Sequence, residues 1–245
     1  MNEAERRACV ASLPASVPYE LHPPEGDRHA KAKDGAVSAL QEFFRRIGKK
    51  IYVSKELATY YPAERVFCPD VLAVRDVEPH PRETWIVSDE GKGLDFVLEV
   101  HVSGNRTKDF EENVRRYARL GIPEYFAFDR GRMRLSGWRL PDPEARVYVP
   151  IVPQAGRFAS TILQLDLALE EDRLRFFFGT APLAEAEELV ARLEKMVTDV
   201  SERAQQEAER AQQEAERAQQ EAERAEELGR RLAAALAEIE RLRER

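Results

Sequence analysis

One segment, residues 95–129, limits what this chain can fold into more than any other: DFVLEVHVSGNRTKDFEENVRRYARLGIPEYFAFD. Phe96, Leu98, Val100 and Val102 alternate with Asp95, Val97, Glu99 and His101. A period of two predicts a strand with a greasy face and a second face that carries Glu99 and His101 in succession. Ser103, Gly104 and Asn105 break the pattern with turn chemistry. Phe110, Val114, Tyr117 and Ala118 then recur at helical spacing, and Gly121 followed by Pro123 supplies a helix stop. The aromatic run from Tyr125 to Phe128 suits a buried strand. The unit is strand, helix, strand, most simply a parallel pair joined by a right-handed crossover.

Composition divides the chain. Aromatics, Pro and Gly largely disappear after Pro182, and Ala, Glu, Gln, Arg and Leu take over, as in a long helix or coiled coil. The division reads as an N-terminal arm at 1–28, a globular domain at 29–180 and a coiled coil at 183–245. The tail repeats AQQEAER three times, at 204–210, 211–217 and 218–224. Its alanines from Ala204 to Ala225 step by four and three, a heptad seam. Leu189, Leu193, Met196 and Val200 form an upstream seam, and the step of four from Val200 to Ala204 is a stutter. Leu232, Leu236 and Ile239 restore larger seam residues. An alanine seam buries little area, so self-association, a partner helix and a solvated single helix held by Glu and Arg pairs all stay open.

A net charge of −7 argues against a uniformly basic surface but allows a local basic channel. The two cysteines, Cys9 and Cys68, lack metal-ligand spacing and read as reduced cytoplasmic thiols. No apolar run approaches the roughly 18 residues needed to cross a bilayer, so no membrane partner is expected. A cytoplasmic protein is the default.

Ahead of the central unit, a short helix is predicted around residues 3–13, followed by a Pro-rich wrapping arm. A second helix over 29–47 carries Ala36, Val37, Leu40, Phe43, Phe44 and Ile47, closed by Gly48. Strands are predicted at 51–53 and 65–74, then a polar loop over 75–93 with a short strand at 84–87. After the central unit come strands around 133–140 and 145–152, and the apolar runs at 163–167 and 174–178 extend or cover the sheet.

Pro69-Asp70 stands about thirty residues before Glu99-Val100-His101. Two carboxylates brought together on adjacent strands make an oxygen site for Mg²⁺, which typically takes one or two protein carboxylates and keeps its other waters. Such a site lowers the pKa of bound water and neutralises charge on a phosphate oxygen, while a nearby cation orients the nucleophile.

These residues carry a family resemblance. CPDVLAV at 68–74, DFVLEVHVSG at 95–104 and KDFEENVRRYARLGIPEYFAFD at 108–129 resemble the PD-(D/E)xK nuclease superfamily, and within it the Uma-type restriction endonucleases. The likeness is strongest over the roughly sixty residues that these stretches span and extends over positions 19–180. It implies an α/β fold: a restriction-endonuclease-like core with a mixed central sheet flanked by helices, here followed by the C-terminal coiled-coil helix. It also implies a Mg²⁺-dependent DNA endonuclease, with Mn²⁺ as an alternative metal. Asp70 and Glu99 match the metal-binding carboxylates, and the Val100 carbonyl would be a further ligand. The superfamily lysine is replaced by His101, and the helix lysine of Uma-type relatives by Asn113. Lys108 is the nearest cation, so His101 or Lys108 would position or activate water.

Each residue also has a plainer role. Asp70 caps a turn, Glu99 joins a structural ion pair, His101 is a hydrogen-bonded imidazole, and Lys108 is a solvated helix residue. His29 either approaches the metal or lies on the surface, and Asp109 either joins the site or favours the helix dipole. Arg106, Lys108, Arg115, Arg116 and Arg119 either track a phosphate backbone or belong to a mixed-charge face diluted by Glu111 and Glu112. The competing reading is a catalytically inactive nuclease-fold binding module on a coiled-coil scaffold.

Overall fold

The computed structural model describes residues 3–14, 26–102 and 106–243, with two compact units, residues 1–186 and 187–245. The Pro-rich arm at 15–25 and the turn at 103–105 lie outside the described residues. In the first unit, helix α1 (Glu3–Ser12) is followed by α2 (Asp27–Arg46). Asp27 in the first turn of α2 and Arg45 and Arg46 in the last complement its dipole. Gly48, at φ +66, turns the chain out of it.

The central sheet contains β1 (Ile51–Ser54), β3 (Val71–Arg75), β5 (Phe96–His101), β6 (Glu124–Asp129), β7 (Arg134–Arg139) and β8 (Val149–Pro150), side by side in that order. Only β5 and β6 run parallel. Both are buried along their whole length, as a strand covered on two faces must be. The two-residue period sorts them. Phe96, Leu98, Val100, Phe126 and Phe128 share one core with Ala36, Leu40 and Phe44 of α2. Val97, Tyr125 and Ala127 face the other, with Tyr117 and Ala118. Two smaller sheets complete the unit. Strands β2 (Ala58–Tyr60) and β4 (Thr84–Ile86) pair in parallel, and β4 leads into a single helical turn, α3 (Val87–Glu90). Strands β9 (Phe158–Ser160), β10 (Leu165–Glu170), β11 (Arg173–Phe178) and β12 (Ala181–Pro182) form a separate antiparallel sheet. Its Leu165, Leu167, Leu174 and Phe176 cover the α2 core.

Two strand expectations change, and a third, that the late apolar runs extend or cover the central sheet, resolves to covering. The strand foreseen over 65–74 begins only at Val71: Pro69 precedes it, its carbonyl taken by the Glu56 N–H at 3.0 Å. Of 145–152 only Val149–Pro150 pairs with β7. The apolar runs after residue 160 build their own sheet and do not extend the central one.

Gly137 of β7 lies opposite Phe126, and a Cβ there would sit 2.6 Å from the Phe126 ring. Gly137→Ala is therefore expected to cost about 1–3 kcal/mol by overpacking. A denaturant double-mutant cycle should show that Phe126→Leu recovers part of the loss; simple additivity would show that the ring is not the obstacle.

The second unit carries one continuous helix, α5 (Ala186–Arg243), which runs through the stutter without a break.

Candidate active site

Strand β3 starts opposite Leu98, so β5 projects past it by Glu99, Val100 and His101. Asp70, just before β3, fills the gap. Its Oδ2 accepts the Val100 N–H at 2.6 Å, and its own N–H approaches Glu99 Oε2 at 3.3 Å. Asp70 and Glu99 are thus neighbours, joined by the Asp70 backbone N–H.

The helix after β5 supplies the opposite wall. A π-helical turn, Lys108–Glu112, runs into α4 (Asn113–Arg119); such turns are frequent at functional sites. Asp109, Asn113 and Tyr117, four residues apart, are all buried toward β5. Tyr117 donates to Glu99 Oε1 at 2.6 Å, and Asn113 Nδ2 reaches the same oxygen at 3.4 Å. Asp109 Oδ2 lies 3.0 Å from His101 Nδ1, and its carbonyl accepts the Tyr125 hydroxyl at 2.7 Å. His101 is thus engaged by Asp109, an acidic residue that joins the site after all.

From the other layer, α2 sends two basic side chains over the end of the sheet. His29 Nε2 lies 3.1 Å from Asp70 Oδ2. Lys33 Nζ lies 3.9 Å from Asp70 Oδ1 and forms an ion pair with Glu56. His29 therefore belongs to the site and not to the surface, and Lys33 and Glu56 are residues the sequence did not single out.

The electrostatics separate the two carboxylates. Burial pushes Glu99 well above the usual carboxylate range, and the charges of Asp70 and Asp109 push it further against the pull of Lys108 and the Tyr117 hydroxyl. Burial alone would raise Asp70 as well, but the hydrogen bond and charge of His29, with the Val100 N–H and Lys33, hold it below its ordinary value. The two carboxyls are thus pushed in opposite directions, as expected when like charges share one site. Burial likewise raises Asp109. It also carries the Cys68 thiol up to about 11, with Glu56, Glu99 and Asp70 adding to the rise.

Lys108 is exposed and lines a cleft of 440 Å³ with Glu64, Glu112, Asn113, Arg115, Arg116 and Arg119. Three of the five basic residues on this segment are spent internally: Arg106 on Asp129 at 2.8 Å, and Arg116 and Arg119 on Glu64 at 3.2 and 3.0 Å. Among the described residues lining the cleft, Lys108 and Arg115 are exposed cations with no such ion pair, and Arg119, though paired with Glu64, keeps its side chain 65% exposed. Among the described residues, no three His, Cys, Asp or Glu side chains converge as a metal cage. Nor is any described helix long and apolar enough to cross a membrane.

A mixed sheet whose projecting central strand pairs Glu99 with the aspartate ahead of its neighbour defines a restriction-endonuclease-like nuclease fold. The Uma2 family, described as putative restriction endonuclease, matches residues 18–171, and the chain belongs to that family. A structure from Anabaena variabilis ATCC 29413, described as a putative nuclease belonging to DUF820, is similar at 13% identity and a TM-score of 0.44. That similarity covers 58% of this chain and 75% of the other. No curated protein matches the sequence.

Proposed function

We propose that this protein is a Mg²⁺-dependent endonuclease that hydrolyses DNA phosphodiester bonds and assembles through its C-terminal helix. The observation that carries the reading is the placement of half-buried Asp70 beside buried Glu99 at the open end of β5, the Asp70 backbone N–H reaching Glu99 Oε2. Two neighbouring carboxylates, one of them pushed toward its protonated form by burial and by the other's charge, form a donor set whose repulsion a hard cation relieves. Asp70, Glu99 and the Val100 carbonyl would hold Mg²⁺ or Mn²⁺; the Val100 N–H already points at Asp70, and the carbonyl of a strand residue leaves on the same side as its N–H. The bound ion would supply an activated water and neutralise phosphate charge.

The chain's own residues do the rest. His29 and the Val100 N–H fix the Asp70 carboxylate. Tyr117 and Asn113 orient Glu99, and Asp109 orients His101 beside it. Lys108 and Arg115 offer two cations to a DNA backbone in the adjoining cleft. Hydrolysis forms a bond from a water oxygen to phosphorus and breaks the bond to a sugar oxygen, which leaves with a proton.

The test is nicking of supercoiled plasmid in Mg²⁺ and its loss in EDTA. Lys108→Ala and Arg115→Ala are each expected to weaken DNA binding across sequences and to lower the salt slope by about 1. Unchanged slopes would remove the cleft from the interface. One observation favours the inactive binding module: the Glu99 oxygens are already engaged by Tyr117, Asn113 and the Asp70 N–H. A wild type that binds DNA but neither nicks it nor takes up Mg²⁺ would decide for that module.

For assembly the tail favours a second copy. With the alanines at the a and d positions, Glu207, Glu214 and Glu221 fall at g, and Gln205, Gln212 and Gln219 at e. A parallel pair sets Glu against Gln. An antiparallel pair sets Glu against Glu, which is repulsive.

A further inference from the structure

The hydrolytic reading leaves a buried lysine unused. Lys33 lies on the inward face of α2, three residues before Ala36 and seven before Leu40, and is 1% exposed. An ammonium taken out of water costs several kcal/mol unless its partners repay it. A methionine would fill the same space without that cost.

The partners of Lys33 are Glu56, by an ion pair, and Asp70, whose Oδ1 lies 3.9 Å from Nζ. Glu56 carries a second cost. Its backbone is left-handed, φ 53, in a residue that is not glycine, and its N–H is tied to the Pro69 carbonyl at 3.0 Å. Such conformations cost about 1–3 kcal/mol and persist where the surroundings impose them. Two unfavourable features therefore converge on one carboxylate oxygen. Asp70 Oδ2 is occupied by the Val100 N–H and His29, whereas Oδ1 looks toward the ammonium. A gap of 3.9 Å is one that an ordered oxygen can bridge.

We propose that Lys33 is the positioning cation of the hydrolytic site, delivered from α2 and held by Glu56 against Asp70 Oδ1, where His101 and Asn113 supply no ammonium. The inference rests on the nuclease reading of Asp70 and Glu99. Lys33 acts through Asp70, fixing its charge and orientation. Lys108, exposed in the cleft, is left to the DNA backbone.

The test uses the full chain, plasmid nicking and calorimetry with Mg²⁺ alone. Lys33→Met is expected to lower kcat about 100-fold with KM for DNA unchanged. It should also leave Mg²⁺ affinity unchanged or tighter, because a positive charge beside the carboxylate is gone. Lys33→Met with Asn113→Lys should recover part of kcat by returning an ammonium from α4. If Lys33→Met does not fold, Glu56→Gln releases the lysine without burying anything new, and should lower kcat about tenfold with KM unchanged. Wild-type kcat in whichever variant folds overturns the inference, as does a joint fall of kcat, Mg²⁺ affinity and Tm, the mark of a merely structural ion pair. A wild type that neither nicks nor binds Mg²⁺ defeats the nuclease reading and this inference together. An active wild type with Glu99→Gln dead and Lys33→Met fully active defeats the inference alone.

Discussion

Glu99→Gln is expected to remove about 10²- to 10⁴-fold of the plasmid-nicking activity, and in metal-free protein at neutral pH to raise the melting temperature. The activity loss follows from replacing a charged donor by a neutral amide of the same shape. The stability gain follows from linkage. Burial, with Asp70 and Asp109 close by, lifts the folded-state pKa of Glu99 above its unfolded value. The folded state therefore binds the proton more tightly, and this contribution is fully present below the unfolded value of about 4.3 and lost as pH rises through the folded one. Gln imitates the protonated form at every pH. The advantage of the variant should be absent in acid and should open as pH rises above the unfolded value of about 4.3. Asp70 runs the other way: its lowered pKa gives stability above the unfolded value that is lost as pH falls through the folded one. Mg²⁺ should reverse the order of the two proteins, since a ligand at 100 times its Kd stabilises by about 2.7 kcal/mol. Calorimetric melting across pH, with EDTA or Mg²⁺, reads all of this. A variant that nicks normally, or melts below wild type throughout the pH range, would remove Glu99 from the site.

The parallel β5–β6 pair and the approach of Asp70 to Glu99 were legible because they rest on local periodicity and on a motif whose parts lie on neighbouring strands. The polar half of α4 was harder to read. Phe110, Val114 and Tyr117 announce an apolar stripe, and Asp109 beside it reads equally as a residue that favours the helix dipole; the π-helical turn that carries it inward has no sequence signature. Lys33 was missed for a different reason. His29, Lys33, Ala36 and Leu40 share a helix face, and a basic residue on the extension of an apolar stripe ordinarily marks where the stripe ends. Here the stripe continues over the end of the sheet and meets Asp70. The signal was the spacing of four between His29 and Lys33, which only a carboxylate contributed from another layer could make meaningful.

On the proposed assembly through α5, Leu193→Asp combined with Leu232→Asp is expected to leave the protein monomeric. In the single chain these leucines are 61% and 63% exposed, and Met196, Val200 and Leu236 are exposed with them. Seam residues this open on a helix of 58 residues contribute nothing until another helix covers them. Burial of a leucine is worth roughly 2 kcal/mol, so two positions in each of two copies come to roughly 8 kcal/mol, or about 10⁶-fold in Kd. The alanine heptads between cannot replace that loss. They let two backbones approach closely but bury little area, and they fix orientation through Glu against Gln at the flanks. Sedimentation equilibrium of wild type and variant reads the masses. A thiol at Ala215, in a Cys9→Ser background, reads the direction: in a parallel pair residue 215 faces its own copy, and oxidation should link the chains. A monomeric wild type, or a variant of unchanged mass, would show that the exposed leucines are not the seam that joins two copies.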